Sequence, residues 1–110
     1  MSTKRVNGFL ESALCEAKKL SKNGEIESKY FAYVANFGVS VLQSGVFATE
    51  LFYEASEERK KVLKAIKSIL NYEEPIKNIK KDEVLDASTA LKLAIRTFKK
   101  IDNKEGQKDE

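Results

Sequence analysis

Apolar residues recur every three or four positions over most of the chain, which is the spacing of amphipathic helices. This spacing predicts a first helix over about residues 4–21. Ser2 or Thr3 is a suitable N-cap residue. The helix is expected to end at Asn23-Gly24, because glycine tolerates the positive φ of a C-terminal cap. The predicted buried face consists of Val6, Phe9, Leu10, Ala13, Ala17 and Leu20.

Residues 30–49 carry no charged side chain. The segment is long enough to cross a bilayer, but the polar residues and glycines spread through it favour the buried centre of a soluble bundle. Gly45 is expected to divide it into helices at about residues 27–43 and 45–54, whereas Gly38 can mark close helix packing. Four aromatic residues of this region are expected in the core: Phe31, Phe37, Phe47 and Phe52.

Two further helices are predicted in the second half of the chain. Ser56 is an N-cap candidate followed by two acidic residues, and the helix continues to about residue 71. Residues 72–81 contain the sole proline and are predicted to be a loop that Ile76 and Ile79 hold against the bundle. The last helix is predicted over about residues 82–101, with Asp82 as its cap. Its expected buried face is Val84, Ala87, Leu91, Ala94, Ile95, Phe98 and Ile101.

These elements indicate an all-α fold, a single compact bundle of about five helices with a buried apolar central helix pair. One proline and five glycines are too few for the turns of a β-sandwich or barrel. A chain of 110 residues is one domain. We expect the bundle to occupy residues 1–101 and residues 102–110, which are polar, to form a disordered tail.

The chemistry available to the chain is limited. It contains no histidine and a single cysteine, Cys15, which excludes an intrachain disulfide and disfavours a structural zinc site. The three acidic pairs are sequence neighbours that point about 100° apart on a helix, so they do not converge on a substrate. We therefore expect no catalytic residues, metal or cofactor. A surface thiol and the absence of a leader-like N-terminus indicate a cytoplasmic protein.

Positive charge is concentrated in one part of the chain. The net charge is +3, but residues 59–81 contain eight basic and two acidic side chains, a local net charge of +6. Lys60, Lys64 and Lys67 are predicted to form one exposed stripe. A second stripe is predicted on the last helix, at Lys92, Arg96, Lys99 and Lys100. Lysines on a rigid helix contact phosphates without reading bases.

The positions of the aromatic residues and of two leucines indicate how the chain would contact a nucleic acid or a protein. Because the aromatic residues are expected in the core, the predicted binding mode is contact with the nucleic-acid backbone and not base stacking. Leu85 and Leu93 are expected on the exposed side of the last helix, where they mark a candidate protein contact. In the alternative interpretation, the lysines only keep a protein-binding helical adaptor soluble. A small enzyme and a membrane-embedded helix are further alternatives.

The middle of the chain resembles a known family. Tyr30 opens a long apolar helix, Leu42-Gln43-Ser44-Gly45-Val46 follows, and Leu51-Phe52 comes next. This order resembles the small helical subunit of type III-B CRISPR RNA-guided complexes, the fifth Cmr subunit. A basic amphipathic helix at residues 60–70 matches the family in placement. The resemblance covers about residues 27–71 and, more loosely, the last helix.

The resemblance implies a non-catalytic role in antiviral defence. Such subunits stack along a ribonucleoprotein filament, contact neighbouring subunits and copies of themselves, and help to hold the guide RNA and the target strand. Neither a membrane nor a small-molecule substrate is implied. Ser44 and Val46 stand where asparagine and leucine are frequent in the family, so the small subunits of type III-A or type I complexes remain alternatives.

Overall fold

The computed structural model describes residues 3–101. The first element is α1 (Thr3–Leu20), close to the predicted bounds. Its predicted apolar stripe faces inward, with Val6, Ala13 and Ala17 buried. Asn23 and Gly24 have positive φ angles of 55° and 78°, and they turn the chain away from the helix as predicted. The proposed N-cap side chains and the proposed tail at residues 102–110 lie outside the described part.

The charge-free segment forms two helices, α2 (Ser28–Ser44) and α3 (Val46–Glu54). Gly45 separates them with φ 92° and ψ 168°, which confirms the predicted break. The two helices pack against each other. The Ser40 and Thr49 hydroxyls are 2.7 Å apart, and the Tyr53 hydroxyl donates to the Tyr33 carbonyl oxygen at 2.6 Å. The apolar run is thus folded back on itself. Across the described residues, no helix is long and apolar enough to cross a membrane.

The second half contains α4 (Glu57–Leu70), a short 3₁₀ turn (Ile76–Asn78) and α5 (Lys81–Ile95). Ile76 is fully buried and Ile79 packs against the core, so the predicted loop is held as expected. The backbone N–H of Ile76 also donates to the buried Glu50 carboxylate at 3.0 Å. Asp82 does not cap α5. The helix begins one residue earlier, and Asp82 lies in its first turn.

The prediction that the last helix continues to about residue 101 was wrong. Helix α5 ends at Ile95, and a tight turn follows in which the Thr97 hydroxyl donates to the Ala94 carbonyl oxygen at 2.8 Å. The chain then forms β2 (Lys99–Ile101), which pairs in parallel with β1 (Glu25–Glu27). The register places Ile26 opposite Lys100. The periodicity missed both strands because three residues are too few to show an alternating pattern.

One hydrophobic core lies between the five helices, and Ile26 of β1 belongs to it. The aromatic prediction was only partly correct. Phe37 is fully buried and stacks edge-to-face on Tyr53 with ring centroids 5.1 Å apart, and Phe31 is half-buried. Phe47 and Phe52, by contrast, are 54% and 56% exposed. Helix α3 is apolar on nearly all sides, so its sequence alone does not indicate which side meets the core.

Candidate nucleic-acid interface

Helix α4 presents a basic side to the surface because its local sequence sets both its ends and its rotation. The Ser56 hydroxyl accepts a hydrogen bond from the Arg59 backbone N–H at 3.3 Å, which confirms the predicted cap. Asn71 ends the helix in the left-handed conformation, with φ 58°. Five apolar side chains turn inward and leave the lysines outside. These buried residues are Val62, Leu63, Ala65, Ile66 and Ile69.

The structure brings the three lysines of the first predicted stripe together. Lys60, Lys64 and Lys67 line one shallow groove of about 410 Å³, with Glu54 and Leu63 as its other lining residues. Lys60 Nζ is 3.9 Å from Glu57 Oε2, a long and exposed contact of little energetic weight. Within residues 3–101, Lys64 and Lys67 form no salt bridge. Their charges are therefore available to a polyanion.

The basic surface extends beyond the predicted stripe. Lys64 and Lys67 also border a groove of about 440 Å³ that is lined by Ser68, Asn71, Tyr72 and Glu73. On its other side, Lys64 shares a groove of about 300 Å³ with Lys61 and with Lys19 of α1, where Glu16 also lines the groove and pairs with Lys19 at 3.2 Å. Lys19 and Lys61 were missed because the packing of α1 on α4, and not a single helix pattern, places them beside Lys64.

The second predicted stripe is not a single helix face. Lys92 and Arg96 are exposed at the end of α5, but Lys99 and Lys100 belong to β2, where successive side chains point to opposite sides. Lys99 Nζ lies 3.9 Å from Glu25 Oε2. Lys100 Nζ lies 5.4 Å from the centre of the Phe31 ring. The prediction failed because the helix ends before both lysines.

The predicted leucine pair also separates. Leu93 is 42% exposed, as expected. Leu85 is half-buried and packs against the core, close enough to α2 that a Cβ atom on Gly38 would lie 4.0 Å from Leu85 Cδ2. The outward position predicted for Leu85 is therefore wrong, since this side chain helps to hold α5 against α2.

Larger exposed apolar side chains lie on α2 and α3. Val39 and Leu42 of α2 are 49% and 62% exposed, and Leu51 of α3 is 53% exposed. With Phe47 and Phe52 they form a set of apolar side chains that sequence reasoning assigned to the core or overlooked. The width of the apolar face could have indicated this set. When the apolar face of a helix is wider than the side that the core covers, some apolar side chains stay exposed and can contact another molecule.

Cations stack on aromatic rings at the surface of α2 and α3, where Tyr33 is half-buried and Phe47 and Phe52 are exposed. The Arg59 guanidinium lies between Tyr33 and Phe52, 4.8 and 4.9 Å from the two ring centres. Lys77 Nζ lies 5.4 Å from the centre of the Phe47 ring. Such contacts stabilise by about 0.5–1 kcal/mol at exposed sites. They also place positive charge at the borders of the apolar side chains on α3.

An ion pair fixes the start of α4 against α2. Lys29 Nζ donates to Glu58 Oε2 at 2.6 Å, and the Tyr33 hydroxyl lies 3.5 Å from Glu58 Oε1. The hydrogen bond raises the pKa of Lys29 and lowers the pKa of Glu58. This pair holds Arg59 and the following lysines in position at the N-terminal end of the basic stripe.

The fold and this surface define a class of protein, a small helical bundle with an exposed basic groove. In residues 3–101, no group of three or more histidine, cysteine or acidic residues is arranged to hold a metal ion. The model of the CRISPR-associated protein family Cas_Cmr5 matches residues 5–98 of the 110-residue chain. The protein therefore belongs to this family, and it is a CRISPR-associated Cmr subunit. No curated protein sequence and no solved structure gives a significant match.

Proposed function

We propose that this protein is a non-catalytic small subunit of a cytoplasmic type III-B RNA-guided complex that acts in antiviral defence. In this role it joins other Cmr subunits and copies of itself, and it contacts the backbone of the guide RNA or the target strand. The observation that carries the proposal is the basic groove of α4. There, Lys60, Lys64 and Lys67 line a single concave surface on a rigid helix.

The groove suits phosphates better than bases. Its cationic groups are ammonium groups, which are compact charges without the planar fork that recognises base edges. The five residues that line this groove include no aromatic side chain, and Tyr72, which is half-buried, borders only the neighbouring groove of Lys64 and Lys67. Binding is therefore expected to be tolerant of sequence and sensitive to salt. Lys92, Arg96, Lys99 and Lys100 are proposed as a weaker, divided set of backbone contacts.

The proposal is tested by reversing the charge of the groove. In the variant Lys60→Glu/Lys64→Glu/Lys67→Glu, each lost phosphate contact lowers the salt slope of single-stranded RNA binding by about 0.7, so three lost contacts lower it by about 2. The measurement is fluorescence anisotropy with a labelled 20-nucleotide RNA at several salt concentrations.

A matched control separates the groove from the overall charge. The variant Lys4→Glu/Lys80→Glu/Lys81→Glu changes the net charge equally at three exposed lysines outside the groove. We expect it to keep most of the salt slope. If both variants bind RNA as the native chain does, the groove is not an RNA site. That result would favour the alternative, a helical adaptor that binds only protein.

A further inference from the structure

Helix α3 has an outer side that no other part of the described chain covers. We define the α3 outer face as Phe47, Ala48, Leu51 and Phe52, all of which are exposed. At 100° per residue these four positions fall within about 140° of the helix circumference, so they form one continuous strip. Exposed apolar strips of this kind mark interaction sites in folded proteins.

Positive charge borders this strip on both sides. Lys77 stacks on Phe47 at one edge, and Arg59 stacks on Phe52 at the other. Glu54, the exposed acidic residue of α3, follows Phe47 by two turns on nearly the same side of the helix, and at that end of the strip it lines the lysine groove of α4. A surface that complements the α3 outer face therefore has an apolar centre, with carboxylates where it meets Lys77 and Arg59.

RNA and a symmetric second copy of the chain both fit this face less well than a protein surface with an apolar centre and carboxylates. Ala48 and Leu51 have no π-surface on which a base could stack, and cations of the chain itself already lie against both phenylalanine rings. In a two-fold dimer the same face meets itself. Such a dimer would bring Lys77 and Arg59 close to the same cations of the other copy, and like charges oppose association.

We propose that the α3 outer face docks a different protein subunit of the complex, through a partner surface with apolar side chains bordered by carboxylates. This inference rests on the proposed function, since it requires a multisubunit assembly. The RNA-binding groove and the docking face then use different elements. The lysines of α4 contact the nucleic acid, while Phe47 and Leu51 enter the apolar part of the partner.

The test measures capture of the other Cmr subunits of the same organism by a tagged chain after co-expression. The variant Phe47→Ser/Leu51→Ser changes two side chains that are more than half exposed, so its thermal unfolding is expected to stay near that of the native chain. Capture should weaken by about tenfold or more, as on truncation of anchors in an interface. Leu14→Ser, at a leucine of α1 that is 44% exposed, is the control and should capture normally.

Further measurements distinguish the possible occupants. Lys77→Glu should also weaken capture, because it places a negative charge at a border that faces carboxylates. The double serine variant should bind the 20-nucleotide RNA as the native chain does, which keeps this test independent of the groove. Lost RNA affinity in that variant, or a native dimer in sedimentation that the variant abolishes, would overturn the proposal. Normal capture by the variant, or loss of capture only in Leu93→Ser, would also overturn it.

Discussion

Tyr53 shows how a single side chain joins the two central helices. Only 1% of the residue is exposed. Its hydroxyl donates to the Tyr33 carbonyl oxygen of α2, and its ring packs edge-to-face on Phe37. Burial raises the pKa of Tyr53 to about 12, although the nearby Arg59 opposes this shift. The phenol therefore stays neutral in the folded protein at a pH where it ionises in the unfolded chain.

The variant Tyr53→Phe removes this hydroxyl and keeps the ring. At pH 7 we expect the free energy of unfolding to fall by about 1 kcal/mol, the net value of one hydrogen bond. A raised acid pKa stabilises the protonated folded state, and this stabilisation is lost as the pH rises above the unfolded value of 10. The advantage of the native chain should therefore shrink by about 1 kcal/mol between pH 10 and pH 11. Urea unfolding at each pH measures the difference in the free energy of unfolding between the two proteins. A difference that stays constant from pH 10 to pH 11 would contradict the prediction.

At the scale of elements, backbone conformation decides where helices begin and end. Ser56 caps α4 and Asn71 ends it, as the sequence predicted, because both residues have local conformational preferences. Gly45 has a φ of 92° with ψ 168°, a region that is nearly reserved for glycine. This residue lets α3 fold back on α2 and so sets which side of α3 faces outward.

Two glycine-to-alanine changes should act in opposite directions. A Cβ at Gly45 or at Gly8 would meet no atom within 4 Å, so only the backbone distinguishes the two sites. Gly45→Ala should destabilise by about 1–3 kcal/mol through strain. Gly8→Ala, inside α1, should stabilise by about 0.5–1 kcal/mol because alanine restricts the unfolded chain. Chemical denaturation of both variants measures these changes, and the same sign in both would refute this account of the α2–α3 break.

At the scale of the whole molecule, distant segments tie the bundle together at several points. Arg5 of α1 forms a salt bridge to the buried Asp86 of α5 at 3.1 Å. Helices α1 and α5 then lead into β1 and β2, which pair in parallel. The backbone N–H of Lys99 also donates to the Gly24 carbonyl oxygen at 3.1 Å. The C-terminal end of the described chain thus meets the segment that follows α1, beside α2.

Shortening the chain tests the contribution of β2. A chain that ends at Phe98 lacks the strand, whereas one that ends at Ile101 keeps it. We expect the shorter chain to be less stable and to exchange the amide hydrogens of β1 that bond to β2 faster, because their acceptors are gone; the Glu25 N–H, which donates to the Lys22 carbonyl oxygen at 3.0 Å, is not among them. Hydrogen–deuterium exchange followed by mass spectrometry compares the two chains. Equal protection of residues 25–27 would mean that the pairing adds nothing to the fold.

The sequence by itself determined that five helices form, the Ser56 cap of α4, the break at Gly45 and the inward side of the amphipathic helices, since these depend on residues within a few positions of one another. It also determined that the lysines of α4 lie on one side. Only the tertiary structure decided the rest. The strand at Lys99–Ile101 exists because Glu25–Glu27 lies beside it, more than seventy positions away in the chain. The exposure of Phe47 and Phe52 depends on which side of α3 the neighbouring helices cover. The sequence of α3 does not indicate that side, because the helix is apolar on nearly all sides.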